Sequence, residues 1–187
     1  ADGVRASKGE AVTISVSPRG ADHLRPYAST IDAFGYLEPE LGIEDAVHYL
    51  EDDGKAWVKP LQELSMATNM LGVCLFSSIT LAIKPRTWAG LLSAAVGWTV
   101  NKEELLRAAE RVINLERVIN ASFGFDRSDD RLPTRFLEEP APDGRGEGQT
   151  VDLDVALDSY YAAMGWDAAT GLPTSDTLKG LGLSWLT

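Results

Sequence analysis

Cysteine is almost absent from this 187-residue sequence, which has a single one, Cys74. A lone thiol cannot form an internal disulfide, so Cys74 is buried packing, a free nucleophile or a ligand to a group that other residues share. Because free cysteines are mostly buried and inert, the residue type alone favours packing. The lack of a disulfide framework is typical of a reducing compartment, and we expect a cytoplasmic protein.

Basic residues are also few: 17 lysines and arginines stand against 28 aspartates and glutamates, which gives a net charge of −11. Phosphate backbones and anionic membranes bind basic faces, so this balance argues against nucleic acid and membrane surfaces as partners. No apolar run reaches the roughly 18–20 residues that span a bilayer. The first residues also lack the apolar segment of a secretory signal. The charge remains compatible with a small uncharged substrate or a basic protein partner.

Histidine is equally rare, with His23 and His48 the two in the chain. His23 lies in the charged turn 19–25 beside Asp22, where it is either an incidental solvated residue or an imidazole that exchanges protons near neutral pH. His48 falls in residues 43–50, whose apolar spacing is that of a helix face, so we interpret it as structural. Phosphate-binding glycine loops, dinucleotide fingerprints, C-x-x-C pairs and the G-x-S-x-G elbow are all missing.

Helical periodicity and helix-capping residues are what the sequence does have. The predicted helices cover 57–71, 88–98 with its end at Gly97, the stretch after the capping pair Asn101 and Glu104, the stretch from Asp152 to Gly165, and a short piece after Thr174. On the helix after Asn101 the predicted buried stripe comprises Leu105, Ala109, Val112, Leu115 and Ile119. Arg117 is predicted on its solvated face.

Two segments are less regular. Residues 11–16 alternate between apolar and polar and are compatible with a short strand. The apolar run 73–83 predicts that Cys74 enters the interior or a buried seam. The fold class we predict is all-α: a single multihelical domain over residues 1–187 with long ordered loops, in which 121–151 is an irregular loop region and 152–187 a helical tail.

An acidic cluster lies within that loop region. Asp126, Asp129 and Asp130 invite comparison with a calcium loop, but they lack the spacing that would place oxygens around one ion. We therefore expect these carboxylates to have structural roles.

Several motifs occur in a characteristic order along nearly the whole chain. They are residues 19–25 (RGADHLR), 71–74 (LGVC), 97–98 (GW) followed by 103–106 (EELL), and a tail made of 123–133 (FGFDRSDDRLP), 157–167 (LDSYYAAMGWD) and 171–174 (GLPT). Each motif is weak by itself, whereas the combination is specific. In this order they resemble the C-terminal part of the tungsten-containing aldehyde ferredoxin oxidoreductase family.

The resemblance implies an all-helical C-terminal domain of a larger oxidoreductase. Enzymes of that family oxidise aldehydes to carboxylic acids at a tungsten held by two pterin dithiolenes, and electrons leave through a 4Fe-4S cluster to ferredoxin. The implied cofactors are therefore a tungsten bis-pterin and a 4Fe-4S cluster in the full enzyme. The implied partners are the N-terminal domains of the same enzyme, ferredoxin and a small aldehyde substrate.

The resemblance also implies roles for individual residues. Cys74 would be the fourth thiolate ligand of the cluster, since iron–sulfur clusters take soft, deprotonated sulfur ligands. The family's Asp-x-x-Gly-Leu-Cys segment, which holds a pterin beside the cluster, here begins at Asn69 and includes Gly72 and Val73. Asparagine keeps an acceptor oxygen but loses the charge that strengthens a hydrogen bond. His23 would face the metal site as a proton donor or acceptor.

The family's other three cluster cysteines, its first pterin-binding segment and its pterin-covering β domain are not in this sequence. One thiolate cannot hold a cluster, so we expect this chain alone to bind no cofactor and to be inactive. We also expect His23 and Cys74 to lie near one exposed concave patch that is an interface in the larger enzyme. The alternative is a helical interaction module that keeps the fold without the redox chemistry, which Asn69 and the missing cysteines favour.

Overall fold

The structure is a computed structural model that describes residues 3–45, 49–79 and 82–186. Helix accounts for 57% of the residues, and the described part contains isolated β-bridges but no sheet, which confirms the all-α fold class. The helices are α1 (Lys8–Ser15), α2 (Ser29–Asp32), α3 (Val58–Met70), α4 (Phe76–Ile79), α5 (Pro85–Val96), α6 (Lys102–Ser122), α7 (Thr134–Glu138), α8 (Leu153–Met164) and α9 (Ser175–Gly180). No helix in these ranges is long and apolar enough to cross a membrane.

The main core forms where α3, α6 and α8 pack together. Tyr160 and Tyr161 of α8 are fully buried, and the Trp166 ring packs against both at centroid distances of 5.7 and 5.8 Å. The Trp166 indole N–H donates to the Asn114 side-chain oxygen of α6 over 2.8 Å. Buried polar groups cost stability when they lack partners, so this bond lets the core bury a tryptophan and an asparagine together.

Local capping chemistry sets the predicted ends of α5, α6 and α8. Asn101 and Glu104 form a reciprocal capping box at the start of α6, and Asp152 accepts a hydrogen bond from the backbone of Val155 at the start of α8. α5 and α8 end at Gly97 and Gly165, both in the left-handed conformation. The helix predicted over 57–71 is α3, and the short one after Thr174 is α9. The interpretation of His48 lies outside the described residues.

The predicted buried stripe of α6 is wrong in its second half. Leu105, Ala109 and Ile113 are buried, whereas Ile119 is 47% exposed. Arg117, predicted on the solvated face, is 7% exposed instead. Its guanidinium makes two hydrogen bonds, of 2.8 and 2.6 Å, with the two carboxylate oxygens of Asp130, an ion pair that satisfies its charge inside the protein.

Asp130 belongs to the acidic cluster of the loop region, whose members have structural partners. Its carboxylate also accepts a hydrogen bond from the Tyr161 hydroxyl. Asp126 and Asp129 cap one turn of 3₁₀ helix reciprocally through their side chains. The cluster therefore ties the loop to α6 and α8.

The possible strand at 11–16 is instead helical and lies in α1. Thr13 and Ser15 are buried, and their hydroxyls donate to the carbonyls of Gly9 and Ala11 over 3.1 and 2.9 Å. A hydroxyl that bonds to the preceding helical turn needs no water. The apolar–polar alternation thus reflects satisfied hydroxyls inside a buried helix and not a strand with one solvated face.

Candidate functional site

The segment 69–74 reverses direction immediately after α3. The backbone N–H of Gly72 donates to the Asn69 carbonyl over 3.1 Å, and the N–H of Val73 reaches the Thr68 carbonyl at 3.4 Å. Gly72 has a φ of 68°, a left-handed conformation that residues with a Cβ rarely adopt. A Cβ there would meet no atom within 4 Å, so backbone conformation and not space calls for glycine.

A single buried hydroxyl anchors the far end of this turn. Ser78 Oγ accepts a hydrogen bond of 2.8 Å from Thr68 of α3 and another of 2.8 Å from the Trp88 indole of α5. Ser78 is 1% exposed and Thr68 is fully buried. The segment between Thr68 and Ser78 is therefore held at both ends, and Cys74 lies near its middle.

Cys74 is exposed, so the prediction that it enters the interior or a buried seam is wrong, and so is the interpretation of it as buried packing. The interior position is taken by Ser78 and Trp88, which leaves the turn before them on the surface. Three apolar side chains near Cys74 are also exposed: Met70 (44%), Val73 (36%) and Phe76 (67%). We call Met70, Val73, Cys74 and Phe76 the thiol surface. Several exposed apolar side chains close together in sequence are typical of an interaction site.

Asn69 lies on the last turn of α3 and is exposed. Its backbone carbonyl accepts the hydrogen bond from the Gly72 N–H, while its side-chain amide makes no hydrogen bond within the part of the chain that the structure describes. The four residues predicted to contact cofactors, Asn69, Gly72, Val73 and Cys74, thus share one surface turn. Its conformation is fixed by backbone bonds and leaves the side chains available.

His23 lies on a different segment, the loop 16–28 between α1 and α2, and is exposed. Its ring is 5.8 Å from that of Tyr27. The neighbouring Asp22 accepts hydrogen bonds from the Arg19 side chain and from the Leu24 N–H. Burial opposes the charge of Asp22, but these hydrogen bonds outweigh it and lower the pKa of its carboxyl. Asp22 therefore stabilises the turn that presents His23.

Two carboxylates that sequence reasoning missed tie together the two helices that flank this loop. Asp32 Oδ2, on α2, accepts hydrogen bonds from the Ser7 hydroxyl (2.9 Å) and the N–H groups of Gly9 (2.7 Å) and Glu10 (3.3 Å) at the start of α1. Glu10 Oε2, on α1, accepts one from the Ser29 N–H (3.1 Å) at the start of α2. Each helix thus supplies the acid that binds the N-terminal N–H groups of the other. We call Glu10 and Asp32 the paired caps.

Burial dominates the titration of the paired caps. It raises the pKa of Glu10 to about 8 and that of Asp32 to about 6, against hydrogen bonds that favour the charged forms. The packing is close as well, since a Cβ on Gly9 would lie 2.3 Å from the Trp57 ring and 2.7 Å from Asp32 Oδ2. In the sequence, each of these two acids is only an isolated acid within an apolar stretch, and no motif marks it.

Neither His23 nor Cys74 lines either of the two concavities described next. A groove of about 810 Å³ runs between residues 126–131 and 150–154, and a cavity of about 420 Å³ includes Arg19, Gly20 and Ala21 of the His23 loop. Within the described ranges, no three or more His, Cys, Asp and Glu side chains are placed to hold a metal ion. That His23 and Cys74 share one concave patch stays a prediction.

Known proteins are similar to this chain in sequence along nearly its whole length. Over 184 residues the chain is 33% identical to the tungsten-containing aldehyde ferredoxin oxidoreductase of Pyrococcus furiosus, and over 183 residues it is 32% identical to that of Pyrococcus horikoshii. Each alignment covers 96% of this chain, but only 29% and 28% of those relatives. The chain therefore spans less than a third of the length of the curated relatives it matches.

A solved structure shares the fold. The active site complex BamBC of benzoyl coenzyme A reductase, in complex with 1,5-dienoyl-CoA, superposes with a TM-score of 0.61 over 88% of this chain and 24% of that one, at 23% identity. The family model for aldehyde ferredoxin oxidoreductase, domains 2 and 3, matches residues 1–183. From this match and the relatives at 33% and 32% identity, the chain belongs to the aldehyde ferredoxin oxidoreductase family.

Proposed function

We propose that this chain is the C-terminal part of a tungsten-pterin oxidoreductase that converts aldehydes to carboxylic acids and passes the electrons through a 4Fe-4S cluster to ferredoxin. The observation that carries the proposal is the thiol surface: the one cysteine of the chain is exposed on a fixed turn, where the family pattern has a cluster ligand. The relatives are tungsten-containing aldehyde ferredoxin oxidoreductases, and tungsten, aldehyde and ferredoxin enter the proposal from them.

The donor chemistry of Cys74 fits one ligand of a shared cluster. Iron–sulfur clusters need several thiolates, and this chain has one sulfur of that kind on its surface. The described residues offer no further set of metal-binding side chains. The other ligands would come from the N-terminal domains of the same enzyme, so the chain alone binds no cofactor and is inactive.

The turn at Gly72 gives the pterin contact a physical basis. A left-handed glycine between Asn69 and Cys74 removes the side chain that would keep a flat ring from the backbone, and the Asn69 amide has no hydrogen bond to other described residues. An amide oxygen accepts a hydrogen bond from an amino group, although more weakly than a carboxylate does. Asn69, Gly72 and Val73 would orient the pterin that keeps the metal in place.

His23 is proposed to take or give the proton in the oxidation of the aldehyde. Its imidazole is exposed on a turn that Asp22 shapes, between helices that the paired caps tie together, so the backbone that carries the ring is fixed. Histidine is the side chain whose protonation changes most readily in the neutral range, which is what a general acid–base needs.

The thiol surface would also be where the N-terminal domains dock. Met70, Val73 and Phe76 expose apolar area that a covering domain would remove from water. Burial of apolar surface is worth about 25 cal/mol per Å², so covering three such side chains favours association.

The test is metal content. The full-length protein that contains this chain is produced anaerobically with tungstate, and iron and tungsten are measured per chain. We expect about four irons for one 4Fe-4S cluster, and about one tungsten. Cys74→Ser should lower the iron content, while Ser77→Ala, which alters the same turn without removing sulfur, should retain it. A Cys74→Ser protein with full iron would refute the ligand role.

One observation favours a second candidate, a helical interaction module without redox chemistry. Asn69 replaces the charged residue of the family pattern, and Cys74 is the only cysteine of the chain. The same experiment separates the two: a full-length protein that binds neither iron nor tungsten would support the module. The thiol surface would then serve docking alone.

A further inference from the structure

Helix α5 presents an exposed face that the proposed function does not use. Trp88 and Ala89 bury the opposite side of the helix in the main core, and Leu92 packs against that core. On the outward side, Leu91 is 54% exposed, and Trp98, just past the end of α5, is 66% exposed. Large apolar side chains exposed together are typical of a protein–protein contact. We call the exposed residues Thr87, Gly90, Leu91, Ala94, Ala95 and Trp98 the α5 face.

Packing inside the chain does not require glycine at position 90. Gly90 lies within α5, and a Cβ there would meet no atom within 4 Å. Glycine in the interior of a helix is about 1 kcal/mol less favourable than alanine, so Gly90 weakens α5 without relieving any contact of its own chain. On an exposed surface, glycine instead lets a second backbone or a large side chain come close.

The α5 face is uncharged in a chain whose net charge is −11. Between Arg86 and Lys102 the sequence contains no charged residue. Two copies of an acidic protein repel each other where their charged surfaces meet, so an uncharged face is where they can approach. A basic partner protein would bind a surface of carboxylates, which the α5 face does not offer.

The charges at the two ends of the α5 face are opposite in sign. Arg86 Nε, at the start of α5, lies 3.9 Å from Glu40 Oε1, and Glu103 Oε1, at the start of α6, lies 3.7 Å from Lys102 Nζ. Both ends are therefore balanced within the chain. The side chains of Arg86 and Glu103 nevertheless remain 77% and 70% exposed, so the outermost group is a cation at one end and an anion at the other. Exposed ion pairs contribute little to stability, and their partners exchange at low cost.

We propose that the α5 face is the contact between two copies of this chain, which pack antiparallel about a two-fold axis near residues 94–95. A two-fold contact places each residue opposite the one that lies equally far from the axis in the other copy. Leu91 and Trp98 form such a pair, and so do Arg86 and Glu103. One register thus brings together an apolar pair and an oppositely charged pair from each copy, with only small side chains at its centre.

The available area is that of a weak dimer. A large aromatic side chain buries about 150–250 Å², and the α5 face with its charged ends offers on the order of 500 Å² per copy. Two copies would then bury roughly 1,000 Å² in total, at the lower limit for a specific interface. Interfaces of this size are transient, so we expect association at high protein concentration.

Sedimentation equilibrium of the chain, from about 10 μM to about 1 mM, tests the contact. A reducing agent prevents a disulfide between the Cys74 thiols of two copies. We expect the average mass to rise towards that of a dimer, and Trp98→Ser to weaken association at least about tenfold, as for the loss of an aromatic anchor. Trp185→Ser removes a tryptophan of similar exposure, 70%, from the C-terminal end of the chain and should associate as the parent does. Unchanged circular dichroism spectra show that the variants remain folded.

Charge reversal tests the antiparallel register. Arg86→Glu and Glu103→Arg should each weaken association several-fold, because like charges then meet across the axis. The second of these changes lowers the net negative charge, so weaker association cannot come from overall repulsion. The double variant has the net charge of the parent and should recover its affinity to within about twofold. The proposal is overturned if the parent stays monomeric, if Trp98→Ser and Trp185→Ser are equivalent, or if the double variant fails to recover.

Discussion

Glu10 should make the protein less stable as the pH rises, and Glu10→Gln should remove that part of the pH dependence. Its pKa goes from an ordinary value of 4.5 to about 8 because burial penalises the ionised form. The folded state therefore holds the proton more tightly than the unfolded state. Its stabilising contribution is complete below pH 4.5 and is lost as the pH rises to about 8. This difference between the two pKa values limits the contribution of Glu10 to the free energy of unfolding to about 5 kcal/mol.

Glutamine mimics the protonated acid, since its amide oxygen can still accept the Ser29 N–H bond. The variant and the parent should consequently have similar stability at pH 5. At pH 9 the variant should be more stable by several kcal/mol, up to that ceiling. Urea unfolding followed by circular dichroism at pH 5, 7 and 9 measures the stability of both proteins. Glu63, whose pKa burial raises to about 7, is present in both and cancels in the comparison. Asp32, whose pKa burial raises to about 6, repels the Glu10 carboxylate, and that repulsion is part of what the substitution removes.

A matched control uses an exposed acid. The Glu103 side chain is 70% exposed on α6, so Glu103→Gln should shift stability by no more than about 0.5 kcal/mol at any of the three pH values. If the difference between Glu10→Gln and the parent stays constant from pH 5 to pH 9, Glu10 does not titrate inside the fold. Burial would then not dominate the titration of the paired caps.

Two further substitutions test the packing. Asp130→Asn leaves the buried Arg117 guanidinium without its charge partner and should cost about 3–5 kcal/mol in urea unfolding; a loss below about 1 kcal/mol would mean that the pair is not buried. Gly9→Ala pushes a methyl group into the close contact at the start of α1 and should cost about 1–3 kcal/mol. Gly90→Ala, on α5 where a Cβ meets nothing within 4 Å, should be neutral or stabilising by up to about 1 kcal/mol, and equal effects of the two glycine changes would contradict the contact.

Local chemistry made part of the fold predictable. The capping box at Asn101, the cap at Asp152 and the left-handed glycines Gly97 and Gly165 act within a few residues, so the sequence contains the whole interaction. Helix α1, in contrast, was not predictable from the sequence. The hydroxyls of Thr13 and Ser15 are satisfied by the backbone of α1 itself while neighbours bury them, and alternation in a single sequence cannot distinguish that from a strand.

The candidate site likewise has a part that could be predicted from the sequence and a part that could not. The turn at 69–74 follows the helix predicted over 57–71, and its glycine signals the reversal, so its place was predictable. The exposure of Cys74 was not, because it depends on which residue occupies the interior, and Ser78 does so through two partners on α3 and α5. Arg117 was assigned to solvent because its acid is in a loop 13 residues away.

The two candidate elements of the site differ in how they depend on the rest of the fold. The thiol surface is held by hydrogen bonds to Thr68 and Trp88, which the chain supplies itself, and none of them involves the sulfur. The His23 loop is held by acids on the helices that flank it. Their buried polar groups differ as well: Ser78 Oγ accepts two hydrogen bonds, whereas Ser17 Oγ and Arg25 Nε of the loop and Asp32 Oδ1 of the paired caps are buried without a hydrogen-bond partner in the described part of the chain. The frame of the thiol surface is therefore complete within this chain, while the His23 loop leaves buried polar groups for water or a further polar group to satisfy.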